Sequence, residues 1–404
     1  MTGGAVSSLG NYDYLATMNT TGTWYFNSGL VGTAYLGSMT DYSRTWEKLH
    51  NLNIGIDFAV LGNRLSGSFD WYHKTNDNML VALTYPDVLG ATAPATNNAK
   101  LRVNGWEASL AWNDRAGDVE YWVSASLSDA RSKVTDYSGT DVWKAGMISV
   151  REGYPLNSLF VYKTDGYFSS YEEIAQYYQQ YKNCNGGAAL GMVPESNEKL
   201  HLRPGDRKKI LILDPEHDTT GGKGNTGAGD VYYYGDTDPH FLFGINAGAK
   251  WKGFDFSTFI QGVGRRYLIR GGYGSNAGMN MCAFYRNYNN ILDTQLDTWT
   301  WDNQDAEYAR LSLENNKNNW NMNNNDSSIQ NAWYARLKNI TIGYTLPKSL
   351  LSKWQIEKIR VYFSGDNVCE LTGVKDGYDP EKGTASRTSL PFNRSWTLGL
   401  DVTF

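Results

Sequence analysis

The strongest constraint in this sequence is a two-residue period of apolar side chains that recurs along most of the 404 residues. In residues 52–60 every second side chain is apolar, and the residues between them are small or polar. The same alternation resumes in residues 65–71, after the turn signal Gly62-Asn63. Because successive side chains of a β-strand point to opposite faces, the pattern predicts a hairpin whose strands each have one apolar face.

About ten strands with this period are predicted, many of them roughly ten residues long, the length that crosses a bilayer at a tilt. Strands of this length, with short turns at one end and long loops at the other, predict an antiparallel transmembrane β-barrel with long extracellular loops. The further runs lie in residues 106–112, 119–128, 241–251, 254–260, 339–346, 359–364 and 396–404. Short turns are predicted at 62–63, 113–118, 252–253 and 347–354, and long connections at 81–100, 135–156, 166–238, 269–332 and 369–393.

The alternative architecture is a soluble β-sandwich or propeller, whose strands also alternate. In a sandwich the large apolar residues form the core, whereas in a barrel they face lipid and the polar residues line a wet interior. The predicted connections are far longer than the roughly 15 residues that loops of compact domains rarely exceed. Strand length and loop asymmetry therefore favour the barrel.

The composition fits many strands joined by turns and polar loops, with 42 glycines, 14% aromatic residues and a mean hydropathy of -0.50. The 37 Lys and Arg against 42 Asp and Glu give a net charge of -5, so no basic field indicates a nucleic-acid partner. No run approaches the about 18 consecutive apolar residues that indicate a transmembrane helix. Residues 1–5 lack a basic or apolar leader, so no signal peptide is predicted.

The sequence predicts no enzyme and no cofactor. It contains no Gly-x-Ser-x-Gly, P-loop, His-Glu-x-x-His or Cys-x-x-Cys motif, and its five histidines are scattered. Cys184, Cys282 and Cys369 are far apart, which favours three unpaired thiols, with a bridge between two loop cysteines as the alternative.

One acidic segment has the spacing of a calcium-binding loop. Asp214, Glu216 and Asp218 alternate as oxygen ligands do in such loops. However, Pro215 interrupts them, and Thr219 occupies the position where the loop needs a glycine. No metal site is therefore predicted.

The long connection 269–332 is rich in Asn, Gly and aromatic residues and too poor in apolar residues to form a core of its own. Aromatic rings in such loops stack on sugars or peptides, or, as the alternative, pack the loops together. A short helix is predicted at 171–182, inside another long connection. The candidate ligand-binding side chains are Tyr285, Trp299, Trp301 and Trp320, with Tyr308 near them.

Seven passages, in order and spread over nearly the whole chain, carry a family resemblance. They are 45–48 with 53–57, 70–75 with 77–80 and 104–107, 153–155 with 166–174, 204–206 leading to 214, 235–239 with 254–257 and 261–262, 334–347, and 379–381 with 397–404. These passages resemble the C-terminal barrel of the SusC-like (SusC/RagA family) TonB-dependent outer-membrane transporters of Bacteroidota. The final Phe404 is similar to the signal by which outer-membrane barrels are recognised for assembly.

The resemblance implies a fold and its limits. It implies a 22-stranded barrel with an N-terminal plug. This chain would contain about ten of the C-terminal strands and no plug. Residues 1–45 are interpreted as part of an extracellular loop, and 46–404 as the C-terminal part of the barrel. The acidic segment 214–222 departs from the family's loop, which has an Asn/Asp-Gly core, and this puts calcium binding further in doubt.

The resemblance also implies a function: uptake of an oligosaccharide, or of a peptide, across the cell outer membrane. The implied partners are a SusD-like surface lipoprotein, outer-membrane lipids, and the TonB–ExbB–ExbD system acting through an N-terminal region. An open sheet of about ten strands has two unpaired edges, which lipid does not tolerate. If these strands closed by themselves, they would form a small passive porin, which is one alternative class. The other is a surface-binding β-protein that never enters a membrane.

Overall fold

A computed structural model describes residues 2–3, 15–27, 29–37, 39–82, 88, 93–138, 148–181, 202–210, 231–269, 296–310, 320–321, 325–351, 356–375, 379–382 and 392–404. Its strands are β1 (Thr2–Gly3), β2 (Met18–Phe26), β3 (Gly29–Leu36), β4 (Lys48–Val60), β5 (Leu65–Ala82), β6 (Ala95–Ala116), β7 (Val119–Tyr137), β8 (Ile148–Ser149), β9 (Ser158–Tyr167), β10 (Arg207–Ile210), β11 (Val231–Asp236), β12 (His240–Trp251), β13 (Phe254–Arg265), β14 (Tyr267–Ile269), β15 (Ile329–Asn331), β16 (Tyr334–Thr345), β17 (Lys358–Thr372) and β18 (Ser395–Thr403). Helix α1 spans Tyr171–Tyr181, helix α2 spans Lys348–Leu351, and a 3₁₀ turn spans Asp326–Ser328.

Most of these strands belong to one ten-stranded antiparallel sheet, in the order β1-β4-β5-β6-β7-β12-β13-β16-β17-β18. The predicted antiparallel β architecture is thereby confirmed. The hairpin predicted at 52–71 is present, because Ile54 pairs with Trp71 and Ile56 pairs with Phe69. The strands of this sheet lie side by side in the same order as in the chain. Each long connection therefore joins two neighbouring strands.

The turn predicted at 113–118 is shorter in the structure. β6 continues to Ala116, β7 begins at Val119, and only Gly117-Asp118 lie between them. The prediction was too long because residues 113–115 are polar, yet their backbone groups still pair with β7. Ladder hydrogen bonds join backbone groups and do not require apolar side chains.

The two faces of the large sheet differ in polarity, as the period-two pattern predicts. Leu52, Ile54 and Ile56 on β4 expose 54%, 57% and 65% of their surface, and Leu398 and Leu400 on β18 expose 78% and 63%. A β-sandwich would bury this face as its core, whereas here it is open. We call the side that carries these residues the apolar face, and the opposite side the polar face.

A separate body of structure, which we call the loop module, consists of β8, β9, β10 and β11 together with α1. β9 is its central strand, since β8, β10 and β11 all pair with it in antiparallel fashion. Its side chains form a buried core with neighbouring loop residues: Phe160, Tyr162, Phe168, Ile174, Tyr177, Leu202 and Trp320. Enclosed apolar packing in the described residues is therefore found in the loops, while the apolar face of the sheet stays exposed.

Helix α1 confirms the helix predicted at 171–182, as far as the described residues extend. Two hydrogen bonds fix its first turn. The backbone N–H of Glu173 donates to Ser170 Oγ over 3.2 Å, and the Glu173 carboxylate accepts from the backbone N–H of Ser169 over 2.7 Å. This is a variant of the capping box in which the carboxylate accepts from the residue before the cap, while the cap hydroxyl satisfies one donor of the first turn.

The first 45 residues contribute two different pieces of structure. β1 pairs with the start of β4, where Thr2 lies opposite Leu49, while β2 and β3 form a hairpin that pairs with no other described strand. Trp24 and Tyr25 on this hairpin are exposed. The interpretation of residues 1–45 as part of an extracellular loop stays a prediction.

No helix among the described residues is long and apolar enough to cross a membrane. Cys369 is exposed and has a free thiol. The other two cysteines, Cys184 and Cys282, lie outside the described residues, as does the acidic segment 214–222.

Candidate ligand-binding surfaces

His240 joins the loop module to the large sheet. Its Nδ1 lies 2.6 Å from Asp129 Oδ1 on β7, and its Nε2 lies 2.8 Å from Asp236 Oδ1 at the end of β11. All three side chains are buried. Arg131 and Arg265 flank the carboxylates at 3.1 Å and 3.6 Å. A protonated imidazole can donate to both carboxylates at once, so this contact is suited to tie the module to the large sheet.

The structure separates the aromatic residues that the sequence grouped together as ligand contacts. Trp299 and Trp320 are buried, with 3% and 5% of their surface exposed, whereas Trp301 exposes 58%. Tyr308 is also buried, and Tyr285 lies outside the described residues. Burial gives Trp299 and Trp320 a packing role within the loops, and their part in ligand binding stays a prediction.

Trp320 is held inside the loop module by its polar atom as well as by its ring. Its Nε1 donates a hydrogen bond of 2.7 Å to the backbone carbonyl of Arg207. Its ring also lies 4.4 Å from the ammonium of Lys209, which is 4.9 Å from the ring of Tyr162 on the other side. Burial lowers the pKa of Lys209 to about 7, although the two ring faces attract the ammonium and offset part of the cost of burying it.

Trp301 is presented on a loop that is fixed from several sides. Its ring meets the buried ring of Trp299 edge-on, with centroids 5.1 Å apart. The same loop is held at the backbone carbonyl of Glu307, which accepts hydrogen bonds from Tyr167 Oη at 2.8 Å and from Arg207 Nη2 at 2.7 Å. An exposed ring on a fixed base is suited to stacking on a ligand, because little motion is lost on binding.

A buried charge cluster anchors the connection between β17 and β18. Arg336, only 2% exposed, donates to Glu370, to Asp379 Oδ1 at 2.9 Å and to Glu381 Oε2 at 2.6 Å. Lys338 adds a bond of 2.6 Å to Glu381. The cluster thus holds residues 379–382 against the polar side of β16 and β17 near the loop end of the sheet.

Below this anchored connection the polar face contains a groove of about 580 Å³. Its floor is formed by β7, β12 and β13, and its rim by Arg266, Tyr334 and Glu381. The floor side chains include Ser126, Ser128, Asn246, Phe259 and Gln261. Sequence reasoning missed this groove, because it depends on three strands lying side by side in one register.

Comparison with known proteins agrees with this architecture. No protein-family model matches the chain. A TonB-dependent receptor of Formosa agariphila, P3, is 25% identical over 392 residues, which are 91% of this chain and 35% of the receptor. The TonB-dependent receptor SusC of Bacteroides thetaiotaomicron is 23% identical over 391 residues, which are 89% of this chain and 32% of SusC.

A solved structure has the same fold. The structure of the RagAB peptide transporter superposes with a TM-score of 0.68 at 20% identity, over 98% of this chain and 39% of that chain. The chain therefore spans about a third of the length of the curated relatives it matches. It is a homologue of the TonB-dependent receptors that include SusC, it fits a C-terminal portion of the SusC and RagA type, and it is placed by this relationship at the cell outer membrane.

Proposed function

We propose that this chain forms the C-terminal part of the wall of a 22-stranded importer that takes up oligosaccharides, or less often peptides, across the outer membrane. The observation that carries the proposal is the open apolar face, because a ten-stranded sheet with large exposed aliphatic side chains on one side needs lipid beside it. The loop module, fixed by His240 to one end of the sheet, supplies a folded extracellular surface.

The proposed partners follow from the same assignment. A SusD-like surface lipoprotein covers the loop end of the wall and delivers ligand to it. The inner-membrane TonB–ExbB–ExbD system supplies energy from the proton-motive force. No covalent chemistry is part of the proposed mechanism, which consists of binding and gated passage.

Among the described residues, Trp301 is the side chain that we assign to ligand contact. Tyr285, which lies outside the described residues, keeps the assignment made from the sequence. An exposed indole stacks on the apolar face of a sugar ring or on a peptide side chain. Trp301→Ala should weaken ligand binding about threefold to tenfold. Trp251→Ala is the matched control, since Trp251 is 49% exposed but lies at the short-turn end of the sheet. Equal loss in both variants would contradict the assignment.

The transport proposal is tested by uptake in the bacterium that carries the gene. The whole open reading frame that contains this coding sequence is deleted. Uptake of labelled oligosaccharides and of labelled peptides is then measured. We expect one of the two classes to be lost. Uptake in the parent strain should also stop when a protonophore collapses the proton-motive force, because TonB-dependent transport requires it.

The same experiment separates the alternatives. A passive porin would keep its uptake in the presence of the protonophore. A surface-binding β-protein would show ligand binding to intact cells but no uptake change on deletion. Either result would contradict energised import.

A further inference from the structure

The groove on the polar face is built from three rungs of neighbouring strands. One rung joins Ser128, Leu242 and Val263, the next joins Ser126, Gly244 and Gln261, and the third joins Asn246 with Phe259. Residues that pair directly across an antiparallel sheet project to the same side. The register therefore sets these side chains next to one another, and all of them line the groove.

Gly244 is the reason that the surface is concave at this place. A Cβ there would lie 3.3 Å from Ser126 Oγ and 3.4 Å from the ring of Phe259, so only hydrogen atoms occupy the middle of the floor. The ring of Phe259 forms one wall of this depression. The volume, about 580 Å³, is within the range of pockets that hold small ligands.

The polar groups of the floor are uncharged amides and hydroxyls. Within the described part of the chain, the side chains of Asn246, Gln261, Ser126 and Ser128 make no hydrogen bond with another residue. Together they provide two amides and two hydroxyls, each able both to donate and to accept. The floor can therefore form hydrogen bonds with a neutral, hydroxyl-rich ligand.

Among the described residues that line the groove, the charged side chains, Arg266 and Glu381, lie at the rim. The carboxylate of Glu381 accepts from Arg336 and from Lys338, at 2.6 Å each. Arg266 donates over 3.2 Å to the backbone carbonyl of Glu381. A cationic ligand would have to compete with Arg336 and Lys338 for Glu381. Arg266 keeps one buried donor, Nε, without a partner among the described residues, and a ligand hydroxyl can accept from it.

From these features we infer that the groove binds a sugar unit of an uncharged oligosaccharide. One face of the sugar ring packs on Phe259 over Gly244, and its hydroxyls bond to Asn246, Gln261 and the two serines. Aromatic contact on one side and amide or hydroxyl contacts at the edges match the two kinds of surface that a sugar ring offers. The inference rests on the proposed import function and makes the neutral oligosaccharide its substrate class.

The test is calorimetric titration of the purified protein, produced with everything in frame with its gene, in detergent micelles. The ligands are a panel of neutral oligosaccharides, uronic-acid oligosaccharides and peptides. We expect binding of at least one neutral oligosaccharide. The double variant Asn246→Ala and Gln261→Ala should weaken it at least about tenfold, since two hydrogen bonds are lost. Gly244→Leu, which fills the depression, should abolish it.

Asn53→Ala is the matched control, because Asn53 is an exposed amide on the polar face of β4, far from the groove, and it should bind as the parent does. Binding only of acidic oligosaccharides or of peptides would overturn the inference. Unchanged binding in the groove variants would overturn it as well. If the double variant lost thermal stability but not binding, the amides would pack against protein, and the inference would also be overturned. Uptake in cells reports separately on the transport proposal. If the groove variants bind the oligosaccharide as the parent does, and uptake is intact, only the assignment of this site is contradicted.

Discussion

At the scale of single residues, Lys209 is the group whose burial has the clearest consequence. It is enclosed between Tyr162 and Trp320, in the core of the loop module. Its pKa falls from 10.5 to about 7 because burial penalises the ammonium. The folded chain therefore releases a proton that the unfolded chain retains between these two pH values, so stability rises with pH in this window.

The loop module should accordingly become more stable between pH 7 and pH 9, by up to about 1.4 kcal/mol per pH unit. Lys209→Met, which keeps an unbranched side chain and removes the amine, should remove this slope and stabilise the module at pH 7. Near-UV circular dichroism melting curves measure both effects. The neighbouring Lys208 is paired with Glu173 and Asp165, so Lys208→Met should retain the slope. A flat profile in the parent protein would contradict the assignment of a neutral Lys209.

Arg336 shows a different consequence of burial. It faces three carboxylates at once, and its removal would leave Asp379, which is 4% exposed, without its main partner. Arg336→Met should destabilise the anchored connection by about 2 to 4 kcal/mol, somewhat below the cost of breaking a fully buried pair because Glu370 is partly exposed. Hydrogen exchange of residues 379–382 measures the loss.

Lys338→Met is the control for this variant. Among the described residues Lys338 forms its ion pair with Glu381, and Arg336 remains to neutralise that carboxylate. We expect little change in exchange. If both variants opened the connection equally, Arg336 would not be its main anchor.

These residues also show where sequence reasoning stopped. The passage 334–347 and the motif Asp379-Pro380-Glu381 both carry the family resemblance, but nothing in the sequence indicates that they contact each other. The contacts of Arg336 bridge 34, 43 and 45 residues. Such partners depend on the register of β16 and β17 and on the path of a loop, and neither is encoded in a local pattern.

At the scale of elements, the strands were predictable and the loop module was not. Alternation marks each wall strand locally, since one face meets lipid and the other does not. By contrast, β9 is held by Asp326, which accepts hydrogen bonds from the backbone N–H and the Oγ1 of Thr164, 162 residues away. The sequence places all the candidate aromatic residues in one long connection. It does not show that Trp301 is exposed while Trp299 and Trp320 are buried, because this difference arises from long-range packing.

The turn predicted at Lys252-Gly253 offers a test at this scale. Gly253 has φ +90, and a Cβ there would lie 2.8 Å from the carbonyl oxygen of Thr345. Gly253→Ala should therefore cost about 1 to 3 kcal/mol from backbone strain, plus the cost of relieving this contact. Gly117→Ala is the matched control, since Gly117 has φ +60 with nothing within 4 Å. Urea unfolding in detergent should show the larger loss for Gly253; equal losses would mean that the contact with Thr345 is relieved freely.

At the scale of the whole molecule, the direction of the edge strands limits what this chain can form alone. Every neighbouring pair from β4 to β18 is antiparallel, and nine strands lie on this path. The first and last of nine alternating strands run in the same direction. β4 and β18 therefore cannot close an all-antiparallel barrel by pairing with each other, and in its described part β1 covers only Lys48 and Leu49 of β4.

The 404-residue chain refolded by itself should therefore give no heat-modifiable monomer and no single-channel conductance. Each backbone group left unpaired in hydrocarbon costs several kcal/mol, and most of β4 and one side of β18 would be unpaired. Gel migration with and without heating, followed by conductance in planar bilayers, tests this, with a complete outer-membrane barrel refolded in parallel to show that the conditions permit closure. A conducting monomer would contradict the expectation and support the small porin. In that case β1 would have to extend along β4 and pair with β18, which would complete an even number of strands.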